Sequence, residues 1–430
     1  MLYDNLGINK LHHLTFADYD TVALAKEYGT PLYVMDEARI RARCQTYKTA
    51  LAKLSPGSHP LYASKALSTK RIYEIMAEET MGIDVVSSGE IHTAVKAGFP
   101  MEMAYFHGNN KTDFDIAYAM DCEVGTFVCD NHDEVIALNA EAARRGITQK
   151  ILLRLTPGID PHTHEKISTG KVDSKFGVAI ETGQAEELIL ATLKLENLQL
   201  EGFHCHIGSQ TFDINPFYEA AVLMFQFVAH MKEVCGYEPN ILNLGGGMGV
   251  PYTDKDNSID YAINIALIGR GIEKICSEMD LKVPAILMEP GRSIVADAGI
   301  TLYTVGATKE IPGYKNYVSV DGGMTDNIRY ALYQADYSVL LANRQEEKSD
   351  YICSIAGRCC ESGDMIQENV QLPRPNRGDT VAVLTTGAYN YAMASTYNRI
   401  PRPAMVMIGK NGPYVSVARE TLDDLIAKDL

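Results

Sequence analysis

Features that would place the chain in a membrane or on a nucleic acid are missing from the sequence. No apolar run approaches the roughly 20 residues that a membrane-spanning helix needs. The first residues, MLYDNLGINKLHHLTF, lack the basic start and the apolar stretch of a signal peptide. Positive charge is scarce, since 39 lysines and arginines face 55 aspartates and glutamates, for a net charge of -16. These absences predict no membrane segment and no nucleic-acid partner.

Paired cysteines are missing as well. The nine cysteines are odd in number and include no CxxC pair. This pattern disfavours a disulfide framework and a cysteine-based zinc site, and it suits a reducing compartment. We therefore expect a cytoplasmic protein, and we assign no residue to a metal centre.

The length and the hydrophobic pattern predict the fold. A chain of 430 residues is too long for one ordinary core, so two domains are expected. From about residue 60, short β-like runs alternate with amphipathic helical stretches, which begin at the predicted caps Ser68, Ser88 and Asn131. The eight runs are 59–65, 82–88, 103–108, 125–130, 150–158, 200–208, 241–247 and 285–292. This repetition favours an α/β TIM barrel over an open doubly wound sheet, which is the alternative.

After residue 300 the pattern changes. Alternating apolar runs such as DTVAVLTTGAY and PYVSVARE are separated by turn residues, and helical stretches are few. Such a pattern is typical of an all-β domain.

Reactive side chains follow the predicted barrel strands at the points where a TIM barrel carries its active site. They are Lys65, His107, Arg154, His204, His206, Gly245, Gly246, Gly247, Glu289 and Arg292. A lysine that is partly desolvated at the mouth of a barrel is a usable nucleophile and can form a Schiff base. A solvated surface lysine at a strand end is the alternative.

Two glycine-containing motifs suggest an anionic, aromatic ligand. NLGGGMG (243–249) offers backbone N–H groups without Cβ obstruction, which suits a phosphate, although a structural tight turn needs the same residues. In MEPGR (288–292), Glu289 could bind a protonated pyridine nitrogen and Arg292 a substrate carboxylate. A structural ion pair is the alternative for these two residues.

Two further motifs leave their chemistry open. His204 and His206 in HCHIGS lie on one face of a strand and could ligate zinc or stack on an aromatic cofactor. In CCESGD (359–364), a carboxylate beside the thiol would keep the thiol protonated, as a proton donor requires. A buried structural cysteine is the alternative.

In their order and spacing these motifs resemble the fold-type III pyridoxal-phosphate decarboxylases, and the resemblance extends from GTPLYVMDEARIRARC to YVSVARE. The stretch GGMTDNIRYALY (322–333) is similar to the diaminopimelate decarboxylase branch of that family. The resemblance implies pyridoxal 5'-phosphate as cofactor. It also implies a cofactor-binding barrel at 36–300 and a β domain, formed by 1–35 and 301–430, that completes the active site.

The resemblance also assigns roles to residues. Lys65 would hold the cofactor, His206 would stack on its ring, and Cys360 would donate a proton. The cofactor-binding set is Lys65, His206, Ser209, Gly246, Gly247, Glu289, Gly291, Arg292 and Tyr389. The substrate-binding set is Arg292, Arg329, Tyr333, Glu361 and Tyr389. In this family the cysteine and the acidic residue after it, here Cys360 and Glu361, come from the partner subunit of a homodimer.

The implied reaction is the decarboxylation of meso-2,6-diaminopimelate to L-lysine and CO2, the last step of lysine biosynthesis. Arg292, Arg329 and Glu361 suit a substrate that keeps a second amino-acid head. The alternative is a related decarboxylase that acts on ornithine, arginine, carboxynorspermidine or a carrier-bound glutamyl group. A non-catalytic regulator of the same fold is disfavoured because the reactive residues are intact.

Overall fold

The computed structural model describes residues 2–158 and 174–430, and these fold into two units. One unit contains the residues up to Arg41, Val250–Asn257 and Ile294–Leu430, and the other contains Ala42–Gly249 and Ser258–Ser293. Within the described ranges, no helix combines the length and the apolar character needed to cross a membrane.

The elements are named in chain order. The strands are β1 Leu6–Ile8, β2 Leu14–Phe16, β3 Tyr19–Asp20, β4 Leu32–Asp36, β5 His59–Ala63, β6 Gly82–Val85, β7 Ala104–Phe106, β8 Thr126–Cys129, β9 Gln149–Thr156, β10 Val178–Ala179, β11 Leu198–His204, β12 Ile241–Asn243, β13 Ala285–Met288, β14 Gly299–Ile311, β15 Lys315–Val320, β16 Val339–Leu341, β17 Tyr351–Ala356, β18 Met365–Leu372, β19 Thr380–Val383, β20 Ala404–Gly409 and β21 Gly412–Val417. The helices are α1 Thr21–Tyr28, α2 Glu37–Leu51, α3 Lys70–Glu78, α4 Ser88–Lys96, α5 Asp113–Asp121, α6 His132–Arg145, α7 Gln184–Thr192, α8 Asn215–Cys235, α9 Tyr261–Glu278, α10 Arg292–Val295, α11 Arg329–Tyr333 and α12 Leu422–Ile426.

Eight parallel strands of the second unit close into a barrel. Their order is β9, β11, β12, β13, β5, β6, β7 and β8, and β8 pairs with β9 to complete the ring. Strands such as β6 and β8 are buried at every position, because in a parallel barrel helices cover the outer face and side chains fill the interior. The TIM barrel prediction is therefore confirmed, and all eight predicted strands are present. The closing pair excludes the open doubly wound sheet.

The predicted helix caps were partly right. Asn131 caps α6, since its side chain accepts a hydrogen bond from a backbone N–H of the first turn. The cap of α4 is Ser87 rather than Ser88, which is the first helical residue. The cap of α3 is Thr69 rather than Ser68, and its side chain makes no capping hydrogen bond. Adjacent serines and threonines offer the same hydroxyl, so only the backbone conformation selects between them.

A mostly antiparallel sheet organises the first unit. Its strand order is β18, β17, β15, β14, β4, β20 and β21, while β19 pairs with β14 and β16. The β-rich prediction for this region is confirmed, but β18 (MIQENVQL) was missed because polar residues interrupt its alternation. The short helices α11 and α12 also interrupt the predicted all-β pattern.

Candidate active site

Lys65 lies in a short helical turn directly after the first barrel strand. Its neighbours Ser64 and Ala66 are buried, whereas Lys65 itself is exposed. The Ser64 N–H donates to Asp84 Oδ1 at 3.2 Å, which ties the turn to the next strand. The amine is therefore carried by a fixed support at the carboxyl end of the barrel.

Two carboxylates near Lys65 were missed by the sequence analysis, the buried Asp84 and the half-buried Glu90. Burial and the charge of Glu289 raise the pKa of Asp84 to about 7, while His107 and Lys65 act in the opposite direction. Burial also raises the pKa of Glu90 to about 7, with Asp84 adding to the shift and Lys65 opposing it. For Asp84 the sequence did contain a signal, namely an aspartate inside the apolar strand GIDVV. A buried aspartate usually has a charged neighbour, so this position could have been predicted to lie at a functional site.

Glu289 follows the last barrel strand, accepts hydrogen bonds from Asn243 and His204 and lies beside His107. Asn243 Nδ2 donates to Glu289 Oε1 at 2.7 Å. His107 Nε2 lies 3.0 Å from the same oxygen, and His204 Nε2 lies 3.3 Å from Oε2. The carboxylate is only 8% exposed, so these donors replace the water that would otherwise solvate it.

These contacts keep Glu289 ionised. Burial alone would raise the pKa of Glu289, but His107 and His204 hold it well below its usual value. Burial lowers the pKa of His204 to about 4, so its ring is neutral and donates a single N–H to the carboxylate. The ligand atoms of His107, His204 and Glu289 lie within 4.8 Å of one another, and this group of possible metal ligands does not contain His206. Among the described residues, the pairing of His204 with His206 that the zinc alternative assumed is therefore not part of such a group.

The glycine turn after β12 leaves no space for side chains. A Cβ on Gly246 would lie 2.0 Å from the carbonyl oxygen of Glu289, and one on Gly247 would lie 2.2 Å from that of Gly208. Gly247 also has a φ of 121°, which side-chain-bearing residues rarely adopt. The turn therefore presents bare backbone, as close approach to a phosphate requires.

The other predicted cofactor residues of this unit lie around the same strand ends. Arg292 Nη2 donates to Ser209 Oγ at 3.0 Å, which links the eighth strand end to the sixth. A Cβ on Gly245 would lie 2.8 Å from His206 Nδ1, so the imidazole packs directly over the glycine turn. A Cβ on Gly291 would lie 2.8 Å from Ala63 Cβ, beside the turn that carries Lys65. The barrel thus collects the predicted residues Lys65, His206, Ser209, Gly246, Gly247, Glu289, Gly291 and Arg292.

The remaining predicted residues belong to the first unit, where Arg329 is surrounded by tyrosines. Arg329 is 8% exposed. Its Nη1 donates to the Tyr337 hydroxyl at 2.9 Å, and its guanidinium lies over the rings of Tyr252 and Tyr333 at 5.1 and 6.0 Å. Tyr333 was predicted from its motif, but Tyr252 and Tyr337 were not, since neither belongs to a recognisable pattern.

Cys360 and Glu361 are exposed on a loop whose conformation is fixed by Asp364. The Asp364 carboxylate accepts the N–H of Met324 at 2.6 Å and the N–H of Cys359 at 2.7 Å. Asp364 is 3% exposed. Burial of the Cys359 thiol and the nearby charge of Asp364 together raise the pKa of that thiol to about 12. Cys359 is therefore the structural thiol of the pair, and Cys360 is the accessible one.

Tyr389 has a backbone conformation that non-glycine residues seldom adopt. Its φ is 59°, in the left-handed region. The residues on both sides, Ala388 and Asn390, are buried, so the surrounding packing maintains this strained geometry. Strained backbone conformations of this kind are often found at functional sites, where they hold a side chain in the orientation that the function needs.

The barrel residues fit pyridoxal phosphate, which offers an aldehyde, a pyridine nitrogen and a phosphate. Lys65 provides an exposed amine for the aldehyde, and Glu289 provides an ionised carboxylate for a protonated ring nitrogen. The glycine turn provides backbone that a Cβ would otherwise obstruct. All three groups lie at the carboxyl ends of strands of one barrel.

Comparison with known proteins agrees with this chemistry. Residues 37–296 match the pyridoxal-binding domain of the pyridoxal-dependent decarboxylase family. A diaminopimelate decarboxylase from Bacillus subtilis (strain 168) is 45% identical over 98% of this chain and 96% of its own length. The similarity therefore includes both units.

Solved structures show the same relationship. Diaminopimelate decarboxylase from M. jannaschii, in complex with L-lysine, has a TM-score of 0.91 and 35% identity, and the match covers 99% of this chain and 98% of that one. Lysine/ornithine decarboxylase from Vibrio vulnificus, in complex with putrescine, has a TM-score of 0.76 and 26% identity, with 90% and 96% covered. This chain is thus more similar to the first protein than to the second in both sequence and fold.

Proposed function

The chain belongs to the diaminopimelate decarboxylases of the pyridoxal-dependent decarboxylase family, and from this premise we propose that it converts meso-2,6-diaminopimelate to L-lysine and CO2. Pyridoxal 5'-phosphate is the cofactor. The observation that carries the proposal is the 45% identity to a diaminopimelate decarboxylase over 98% of the chain. This activity places the enzyme at the last step of lysine biosynthesis.

We propose that the barrel residues bind and orient the cofactor. When bound, pyridoxal phosphate supplies an aldehyde for amines and an electron-withdrawing ring that stabilises negative charge on the carbon losing CO2. Lys65 would bind the aldehyde, His206 would pack on the ring, and Ser209 with the turn at Gly246 and Gly247 would bind the phosphate. Glu289 would hold a proton on the ring nitrogen, while Gly291, Arg292 and Tyr389 would complete the pocket.

We propose that the first unit supplies the groups that recognise substrate and move its proton. Cys360 would deliver a proton to the carbon from which CO2 has left. Glu361 would bind the distal ammonium, and Arg292, Arg329, Tyr333 and Tyr389 would bind the remaining substrate groups. As substrates, ornithine and lysine carry only the carboxylate that would leave as CO2. They have no second, distal carboxylate for another arginine to bind, so they are disfavoured.

We propose a division into a barrel at 36–300 and a β domain, formed by 1–35 and 301–430, that completes the active site. We also propose a cytoplasmic homodimer in which Cys360 and Glu361 act on the partner's barrel. The exposure of both side chains on their loop supports this arrangement, because a proton donor must reach its acceptor directly.

The decisive experiment is a turnover assay. The purified protein is incubated with pyridoxal phosphate and meso-diaminopimelate, and CO2 and lysine are measured together. We expect both products in equal amounts. Release of CO2 from ornithine or arginine, but not from diaminopimelate, would contradict the proposed substrate.

Replacing Glu289 by glutamine should lower kcat by about a hundredfold, the size of effect expected when a preorganised group that stabilises developing charge is lost. The amide cannot hold a proton on the ring nitrogen as an ionised carboxylate does. The measurement is kcat, together with the absorbance spectrum of the bound cofactor as a function of pH. Glu201→Gln is the control. Glu201 is also a glutamate of the barrel, but it lies in the middle of β11, before the carboxyl end of that strand where the candidate site residues begin. An unchanged kcat and spectrum for Glu289→Gln would exclude Glu289 as the partner of the ring nitrogen.

A further inference from the structure

Arg329 is a buried cation without an anionic partner in the part of the chain that the structure describes. It is 8% exposed, and its contacts within residues 2–158 and 174–430 are with tyrosines rather than with carboxylates. A buried guanidinium that lacks a counter-charge is unfavourable. The cluster is therefore suited to an anion that comes from outside the described chain.

The surrounding rings stabilise the guanidinium without neutralising it. Its central carbon lies 5.1 Å from the ring centroid of Tyr252, 5.8 Å from that of Tyr337 and 6.0 Å from that of Tyr333. Cation–π contacts attract the charge through the ring quadrupole and leave the net charge at one. A carboxylate that enters this site meets a full positive charge.

A hydrogen-bonded pair fixes the direction of the guanidinium. Arg329 Nη1 donates to the Tyr337 hydroxyl at 2.9 Å, so the hydroxyl must give its own proton elsewhere. The Tyr337 hydroxyl donates that proton to Asn390 Oδ1, which lies 3.5 Å away. Asn390 Nδ2 donates to the Thr386 carbonyl at 3.0 Å and also lies 3.4 Å from the Tyr337 hydroxyl, so the Asn390 amide is held beside that hydroxyl.

Tyr337 itself has little freedom to move. It is 3% exposed, and its backbone N–H donates to Gln367 Oε1 at 2.9 Å. Its ring meets that of Tyr252 edge-on, with centroids 5.3 Å apart and an interplanar angle of 84°. Because backbone, ring and hydroxyl are all held, Tyr337 can fix a flexible arginine side chain in one direction.

We propose that Tyr337 and Asn390 are positioning residues that aim Arg329 at the distal carboxylate of the substrate and so set the preference for amino acids that carry one. The inference rests on the proposed function, in which Arg329 binds part of the substrate, and it assigns the distal carboxylate to Arg329. Tyr337 uses one of the guanidinium N–H groups, and the others remain for bidentate binding. Neither Tyr337 nor Asn390 needs to touch the substrate.

The test compares two ligands that differ in one carboxylate. L-lysine, the product, keeps the carboxylate that was distal in the substrate, and cadaverine is the diamine without it. Binding of both is measured by calorimetry on the cofactor-loaded enzyme. For Tyr337→Phe, the dissociation constant of lysine should rise about tenfold, the low end for loss of a hydrogen bond to a charged group. Cadaverine affinity, the cofactor spectrum and kcat should stay the same, while KM for diaminopimelate rises.

Two further variants separate positioning from general disturbance. Asn390→Ala should weaken lysine binding less than Tyr337→Phe does, and the double variant should be no weaker than Tyr337→Phe alone, because Asn390 acts through Tyr337. Tyr330→Phe is the matched control. It removes a hydroxyl from the same region, but that hydroxyl donates to Glu368 at 2.7 Å and not to Arg329. Lysine affinity should be unaffected in this control.

Two results would overturn the inference. One is an unchanged lysine affinity in Tyr337→Phe, and the other is an equal loss of affinity for lysine and cadaverine. Absence of diaminopimelate turnover by the unaltered enzyme would instead defeat the proposed function. The comparison of the two ligands would still decide the role of Tyr337, because it measures binding and not turnover.

Discussion

Lys65→Ala should abolish both the absorbance band of the lysine-bound cofactor and the release of CO2. A methyl group cannot form the covalent bond to the aldehyde, whereas Lys65 offers an exposed amine on a turn that the Ser64 N–H ties to Asp84. The measurement is the cofactor spectrum after dialysis, followed by turnover at saturating substrate.

The control for Lys65 is Lys70→Ala. Lys70 is also an exposed lysine, but it begins the following helix α3 and belongs to no candidate site. Its variant should keep the band and the rate. If Lys65→Ala kept the band and turned over substrate, another amine would hold the cofactor and the central assignment would be wrong.

Cys360→Ala should bind the cofactor normally and yet lose turnover by about a hundredfold or more, the range for a positioned proton donor. Removing the thiol leaves the barrel residues in place but removes the group proposed to protonate the product carbon. The measurement is kcat in an enzyme whose cofactor spectrum matches that of the unaltered protein.

Cys359→Ala is the matched control, since Cys359 is the adjacent thiol. Burial and Asp364 raise the pKa of Cys359 to about 12, and its N–H is bound to Asp364, so we assign it a structural role. Its variant should keep most of the rate. A full rate in Cys360→Ala would remove Cys360 from the mechanism.

Mixing the two inactive variants tests the proposed sharing of sites in a homodimer. If each site combines Lys65 of one subunit with Cys360 of the other, random reassociation gives half mixed dimers with one intact site each. The mixture of Lys65→Ala and Cys360→Ala should then recover about a quarter of the normal activity. Recovery of no activity after verified subunit exchange would indicate that both residues serve one site within a subunit.

The eight strands and the residues that follow them could be predicted because the signals are local. A parallel barrel strand appears as a short apolar run, and a TIM barrel places reactive residues directly after such runs. Lys65, His206 and Glu289 were therefore found without knowledge of any long-range contact. The cap serines failed by one residue for a related reason, since neighbouring hydroxyl residues look alike until the backbone selects one.

The environment of these residues could not be predicted. Asn243 and Glu289 are 46 positions apart yet form a 2.7 Å hydrogen bond, and Asp364 binds the Met324 N–H across 40 positions. No periodicity in the sequence encodes such pairs. Strand β18 was missed because its own sequence, with polar residues that break the alternation, does not predict a strand. It is extended because it pairs with the neighbouring strand β17.

The sequence by itself determined the barrel, the β-rich region and the identity of the reactive side chains, because apolar periodicity and chemical type are properties of short segments. Tertiary structure alone decided which carboxylates are ionised, which of the two adjacent thiols is accessible, and which tyrosine directs Arg329. These properties depend on burial and on partners brought together by closure of the barrel and pairing of the sheet. Desolvation and hydrogen bonding act over a few ångströms in space, whatever the separation along the chain.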